Sequence, residues 1–479
     1  MYPIEVQNEW LDKLIKTAQN TEFGKKHNFS KIKTYEDFKN YVPLQDYETL
    51  KPYILEIKKG KPDVLWPGEV KWFAKSSGTV NDKSKFIPIT KESLQDCHYK
   101  GGKDLLGIYH HINPESKLIL GKTLIVGGSS QINHFSSDSY YGDLSAIIIK
   151  NLPFWVENRR TPDINVALLD KWEEKIEQMA KLTSKENVTN ISGVPSWTLL
   201  LLKRILELNK ASNIDEVWPN LELYMHGGVN FEPYKNAFKM IIPNKKVTYL
   251  ETYNASEGFF GIQDEPDKDE MLLMLDYGIF YEFIDVNESE PDNPKVVTLA
   301  DVEKDKNYAL VITTNGGLWR YQIGDTIRFT NLYPFKIKIT GRTKLFINMF
   351  GEELVIENAE KAIVNACERT KSIINEFTIA PHFNETKSKG YHEWVIEFEK
   401  NPDDLNYFRE ILDNSLKNLN SDYEAKRYNN LLLQPPVIHT VKKGTFYNWM
   451  KQRNKLGGQN KVPRMFKDTT YVNQLIKMA

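Results

Sequence analysis

The sequence predicts an α/β protein that closes with a smaller α+β unit. Three observations lead there. From about residue 117, strand-length apolar segments alternate with amphipathic helical patterns, the order that builds a sheet covered by helices. After Gly341-Arg342 that texture gives way to two helical patterns around a pair of strand-like segments. Finally, 479 residues with 41% hydrophobic and 12% aromatic content suffice for a large buried core and favour two or more domains.

Taken in order, residues 5–18 carry Trp10, Leu11, Leu14 and Ile15 at helical spacing, the pattern of an amphipathic helix lying on the body of the protein. Lys117 to Gly128 reads as a buried strand entering a Gly-Gly-Ser-Ser loop, and Ala146-Ile147-Ile148-Ile149 as a strand-sized apolar piece. A helix is expected over 170–183, a strand over Val188–Ile191, and a helix starting at Pro195, since proline suits the first helical turn. Leu221–Met225 forms a strand that ends in His226-Gly227-Gly228, and Val247–Thr252 delivers a turn over Tyr253 to Gly258. Strands follow at Ala309–Thr313 and within Trp319–Phe329. Beyond the texture change, Leu354–Cys367 and Asp403–Leu419 read as helices, and Phe377–Pro381 pairs with Trp394–Phe398.

Sixty-three Lys and Arg against sixty-four Asp and Glu leave a net charge of −1, so no global field recruits nucleic acid or an anionic membrane. The stretch Lys442–Lys467 has eight basic residues, no acidic one, and Phe446, Tyr447 and Trp449 between them. That composition resembles a nucleic-acid patch, and a mobile lid whose lysine reaches an anionic reaction centre fits it better. Two cysteines, Cys97 and Cys367, make no disulfide framework, no apolar run approaches a bilayer span, and the start lacks a signal-peptide pattern. The expected compartment is the cytoplasm, with no nucleic-acid or membrane partner. Nine scattered histidines lack zinc-ligand spacing, and no Ser/His/Asp or Cys/His set supports a covalent enzyme intermediate.

The chemistry starts in the run from Trp72 to Pro88. Ser76, Ser77 and Thr79 offer hydroxyl donors, Gly78 allows close backbone approach, and Lys85 brings a point charge, which together suit a phosphate. The same composition also makes an ordinary solvated turn. It is not a Walker loop, because G-x-x-x-x-G-K-[ST] is missing. Three later segments add to it: Tyr253-Asn254-Ala255-Ser256-Glu257-Gly258, Tyr321-Gln322-Ile323-Gly324-Asp325, and Gly341-Arg342-Thr343-Lys344 leading to Phe350-Gly351-Glu352-Glu353.

In order and spacing these motifs resemble the acyl-adenylate-forming superfamily of acyl-CoA synthetases, adenylation domains and luciferases. Thr21-Glu22-Phe23-Gly24, Val42-Pro43-Leu44, Ser192-Gly193-Val194-Pro195-Ser196-Trp197 and Lys461-Val462-Pro463-Arg464 are similar to its auxin-responsive promoter family of acyl acid-amido synthetases. The resemblance runs from about residue 20 to the C-terminus. It implies a large multi-sheet domain over 1–343 that holds ATP and the acyl acid, and a small mobile domain over 344–479. One departure is in the phosphate loop, where Val80 and Asp82 replace a hydroxyl and a glycine of the family pattern.

The resemblance also assigns roles. Ser76, Ser77, Gly78, Thr79, Gly227, Gly228, Tyr253, Asn254, Ala255, Ser256, Asp325 and Arg342 would bind the nucleotide, with Asp325 accepting from the ribose hydroxyls and Tyr253 stacking or packing. Lys461 and Lys85 would supply positive charge to adenylation, Glu257 would ligate Mg²⁺, Val194 and Trp197 would wall the acyl pocket, and Lys344 would be the hinge. The implied enzyme is a ligase that uses ATP and Mg²⁺ to adenylate a small carboxylic acid and passes the acyl group to an amine, expected to be that of an amino acid. An acyl-CoA synthetase, or a nucleotide-binding regulatory protein without turnover, is the alternative. The acid, the acceptor and the oligomeric state are left open.

Overall fold

The computed structural model describes residues 2–76, 85–127, 132–136, 139–152, 154–167, 169, 172–228, 231, 235–286, 294–342, 346–384, 389–430, 432–453, 462, 465–466 and 468–478. Their dominant feature is a twelve-stranded mixed sheet. From one edge its strands are Val296–Thr298, Ile279–Asp285, Asn307–Thr314, Tyr321–Leu332, Phe335–Arg342, Met271–Leu273, Gly258–Ile262, Thr248–Ala255, Leu223–Gly227, Val188–Gly193, Lys122–Val126 and Arg160–Thr161. The strand Thr248–Ala255 is where the sheet changes character. It runs parallel to Leu223–Gly227 on one side and antiparallel to Gly258–Ile262 on the other.

The parallel half is built as the alternating pattern requires. Pro195 opens the helix Pro195–Asn209 at its first turn, where a missing N–H costs nothing, and Leu199, Leu201, Leu202 and Ile205 of that helix are fully buried. Such all-round burial explains why this helix is apolar on more than one face. On the antiparallel half lies the helix Pro3–Ala18, which buries Leu11, Leu14, Ile15 and Ala18. Its Gln7 reaches into the sheet: the side-chain amide donates to the Leu275 and Ile279 carbonyls at 2.8 and 2.9 Å and accepts from the Tyr281 N–H at 2.9 Å. The amphipathic face is thus spent on packing.

A second sheet of four strands, in the order Lys85–Ile89, Trp72–Ser76, Ser139–Gly142 and Asn133–Ser136, carries the edges of the phosphate-loop segment. In the C-terminal part, Ile373–Asn384 and Lys389–Lys400 form a long hairpin with Ile379 opposite Trp394, and Val437–Val441 adds in parallel. The helices Ile356–Thr370 and Leu405–Leu419 cover this sheet, the latter capped by Asp404, which accepts from the N–H groups of Asn406 and Tyr407. The expected domain break at 343/344 falls on residues outside the described set. Side chains from both sides of it, among them Ile191, Leu199, Ile347, Phe350 and Trp394, belong to one apolar core.

Three local expectations need correction. Ala146–Ile149 is helical, within Leu144–Lys150, because Ala146, Ile147 and Ile149 find apolar partners on one side that outweigh the strand preference of a β-branched run. The strand expected from Lys117 begins only at Lys122, after a 3₁₀ turn at Leu118–Leu120 that leaves Ile119 and Leu120 exposed. Leu354–Val355 is a short strand, so the helix starts at Ile356. In the basic tail Phe446 and Trp449 are core residues of the C-terminal part, packed with Val395, Met450 and Leu475, so the aromatic half of the nucleic-acid-like pattern is structural. No described helix is long and apolar enough to cross a membrane.

Candidate active site

Four parallel strands end side by side, and the predicted site residues cluster at those ends. Val126 lies opposite Gly193, Ser192 opposite Met225, and Gly227 opposite Thr252. Carboxyl ends of parallel strands are where α/β sheets bind ligands, because the connections to the next elements splay apart there. Gly227 is required by its neighbour: a Cβ would sit 2.3 Å from the Thr252 carbonyl oxygen. Gly228 has φ of +80°, a left-handed conformation, and the position of a Cβ there would lie 3.5 Å from Cγ2 of Val194. The glycine pair expected to face a flat ligand therefore adjoins Val194, one of the two expected pocket-wall residues.

The Tyr253 to Gly258 segment is less of a turn than expected. The strand continues through Ala255, only Ser256 and Glu257 turn, and Gly258 pairs back onto Ala255. This sets Tyr253, Asn254 and Ala255 rigidly on the sheet and leaves Glu257, half-buried, at the apex. Tyr253 is buried and its hydroxyl donates to Oδ2 of Asp325 at 2.6 Å, although three strands lie between them in the sheet order. The reason Asp325 can be buried, at 7% exposure, lies partly in this bond. Arg342 is the backbone partner of Asp325 in the ladder between the two antiparallel strands. Asp325, Tyr253 and Arg342, far apart in sequence, are thus brought together.

Lys85 starts its strand opposite Ser76, so the two ends of the phosphate loop are held as a hairpin. Its Nζ lies 5.9 Å from the centre of the Tyr47 ring, and the Tyr47 hydroxyl accepts from the Phe86 N–H at 2.9 Å. Lys58, which was not anticipated, rests 4.3 Å from the Phe86 ring centre and 3.6 Å from that of Phe135, bracing the hairpin against Asn133–Ser136, the strand at the other end of the sheet order. Ser77, Gly78, Thr79, Lys344 and Lys461 lie outside the described residues, as do Val80 and Asp82.

Two histidines border the site. Burial pushes His98 down to about 4, against a modest opposing hydrogen-bond contribution from Asn254, and pushes His226, stacked 4.1 Å from Phe231, down to about 3. Both rings are neutral at neutral pH and add no charge to the site. Trp197 is buried, and its ring is covered by Nζ of Lys426 from the C-terminal part at 3.4 Å. The residue expected as a pocket wall stands at the seam between the two parts of the chain. No group of three or more metal-ligand side chains occurs among the described residues. A single carboxylate such as Glu257 nevertheless suits Mg²⁺, which takes most of its ligands from phosphate and water.

Residues 1–247 match the GH3 family N-terminal domain, 272–342 its central domain and 357–470 its C-terminal domain. The chain belongs to the GH3 family. The auxin-responsive resemblance read from the sequence is thereby met. Among curated GH3 relatives, an indole-3-acetic acid-amido synthetase, GH3.4 of Arabidopsis thaliana, is 24% identical over 96% of this chain and 89% of its own length. A jasmonoyl–L-amino acid synthetase, JAR4 of Nicotiana attenuata, is 23% identical over 96% of this chain and 90% of its own. The solved structure of the acyl acid amido synthetase GH3.15 in complex with 2,4-DB superposes with a TM-score of 0.62 at 20% identity, covering 99% of this chain and 93% of that one. That likeness establishes the shared fold.

Proposed function

We infer that this GH3 protein is an ATP-dependent ligase that adenylates a small carboxylic acid, releases pyrophosphate, and transfers the acyl group to an amine, that of an amino acid, with release of AMP. The observation that carries the reading is the convergence of Gly227-Gly228, Tyr253, Asp325 and Arg342 at one end of the sheet, in a chain whose family relatives are named amido synthetases.

Asp325 accepts from the ribose hydroxyls while Tyr253 holds its carboxylate in place. The glycine pair admits the base, and Asn254, Ala255 and Ser256 follow its edge. Ser76, Ser77, Gly78 and Thr79 hold phosphate oxygens, and Arg342 adds charge near the ribose and α-phosphate. Two anions must meet during adenylation, so cations decide its rate. Lys85 and Lys461 neutralise the acid's carboxylate and the phosphates, and Glu257 would hold Mg²⁺, which when bound would supply positive charge to the pyrophosphate. Val194 and Trp197 wall the acyl acid. Lys344 is the hinge on which the small domain turns, because a lid closed over the carboxylate for adenylation blocks the approach of the amine.

Acid-dependent exchange of labelled pyrophosphate into ATP tests the first half-reaction, and product analysis with mixed amino acids or CoA tests the second. Exchange followed by amide formation is expected. Thioester formation in place of amide assigns the protein to acyl-CoA synthesis, and nucleotide binding without exchange for any acid in a broad panel defeats the ligase reading. Lys461→Ala should suppress exchange while ATP binding persists, and exchange at the wild-type rate would move the role to Lys85.

A further inference from the structure

Lys426 is 2% exposed, yet it stands where two parts of the chain meet. It lies in the last turn of the helix Ser421–Arg427, with its ammonium 3.4 Å from the ring centre of Trp197 in the first turn of the helix Pro195–Asn209. Isolated burial of an ammonium is costly, and here burial presses Lys426 down to about 7. The charges of Asp422, Glu352 and Glu353, all from the C-terminal part, act in the other direction. From the N-terminal part the compensation is the negative face of an indole, the best of the aromatic rings for this contact. Asp422 in turn feels Lys75, the residue just before Ser76. Through Lys426 the helix Ser421–Arg427 packs against the Val194–Trp197 segment.

The other end of the same contact is of opposite sign. Lys203, on the same helix as Trp197, is half-buried and held below its ordinary value first by burial and then by the like charge of Lys389, at the start of the strand Lys389–Lys400. One helix of the N-terminal part therefore offers an attraction at Trp197 and a repulsion at Lys203. Turning the C-terminal part away would release Lys426 into water and separate the two lysines, so the contact can exist in one arrangement and not in the other.

We propose that Lys426 is a positioning residue that seats the small domain on Trp197 and so sets the balance between the two domain arrangements that the half-reactions require. The proposal rests on the ligase reading above. Wild-type protein without acid-dependent exchange would defeat that reading, whereas wild-type exchange with unaltered Lys426 variants would defeat this proposal alone.

The experiment measures two rates in the full chain: pyrophosphate–ATP exchange, and amide formation in a single turnover from acyl adenylate formed on the enzyme. Lys426→Met should change the ratio of these rates roughly ten- to thirtyfold, the size of a desolvated cation–π contact. Lys426→Arg, which keeps the cation, should stay within about threefold of wild type, and Trp197→Leu should shift the ratio in the same direction as Lys426→Met without adding to it in the double variant. Should Lys426→Met fold poorly, Lys203→Glu serves instead: it converts the repulsion with Lys389 into attraction and should move the ratio the opposite way. Hydrogen exchange reads the seam directly, with faster exchange in the helix Pro195–Asn209 for Lys426→Met and recovery in Lys426→Arg. An unchanged ratio in folded Lys426→Met and in Lys203→Glu, or equal loss of both half-reactions, would overturn the proposal.

Discussion

Replacing Tyr253 by phenylalanine removes one oxygen atom and tests whether the bond to Asp325 serves the nucleotide or only the fold. The ring itself stays, with its 4.8 Å packing against Phe260. What is lost is a 2.6 Å donor to a carboxylate that is 7% exposed, and hydrogen bonds to charged groups contribute about 1.5 to 3 kcal/mol. At about 1.4 kcal/mol per decade, a carboxylate left to drift from the ribose should lower kcat/KM for ATP by roughly 10- to 150-fold. Part of the same energy will be lost from the unliganded protein, so stability must be measured in parallel. The assay is pyrophosphate exchange at varied ATP with saturating acid, beside thermal unfolding with and without ATP. If Tyr253→Phe lowers the unfolding temperature yet keeps wild-type kcat/KM for ATP, the bond is structural and Asp325 is not aligned by it for the ribose.

Two further outcomes follow from single contacts. Gly227→Ala must displace the Thr252 carbonyl by more than side-chain adjustment allows, so a loss of about 1 to 3 kcal/mol in stability and at least tenfold weaker ATP use are expected, and a variant unchanged in both would remove Gly227 from the site. Glu251 is pushed up to about 7 from 4.5, first by burial, then by the nearby Asp269, against the pull of Lys338. The folded chain therefore keeps a proton between pH 4.5 and 7 that the unfolded chain has released, so this group's contribution is full below about 4.5 and lost as pH rises to 7. Glu251→Gln should raise the unfolding temperature relative to wild type more at pH 8 than at pH 5, and an equal difference at both would refute the assignment.

How far such residues could be read from the sequence depended on whether local rules govern them. Pro195 begins its helix where its fixed φ permits, and the pairing of Phe377–Pro381 with Trp394–Phe398 appears with Ile379 opposite Trp394. Gly227 and Gly228 could be singled out because a glycine pair after a strand is itself a conformational signal. Ala146–Ile149 could not, since four apolar residues satisfy strand and helix equally and only their packing partners choose. Tyr253 was recognisable as a site residue through its motif, but its partner was not: Tyr253 and Asp325 are 72 positions apart, and no local pattern encodes a contact of that range.

What the sequence by itself determined is the α/β class, the late change of texture, and the motif-bearing segments, because strand and helix periodicity, proline and glycine chemistry, and motif spacing are properties of neighbouring residues. Tertiary structure alone decided that the parallel strand ends set Gly193 opposite Val126 and Gly227 opposite Thr252, that Phe446 and Trp449 of a basic tail are core, and that Lys426 rests on Trp197. Lysine is ordinarily a surface residue, so nothing along the chain marks one as buried. Its place follows from the meeting of two distant surfaces, where an indole face and three carboxylates offset the cost of removing its charge from water.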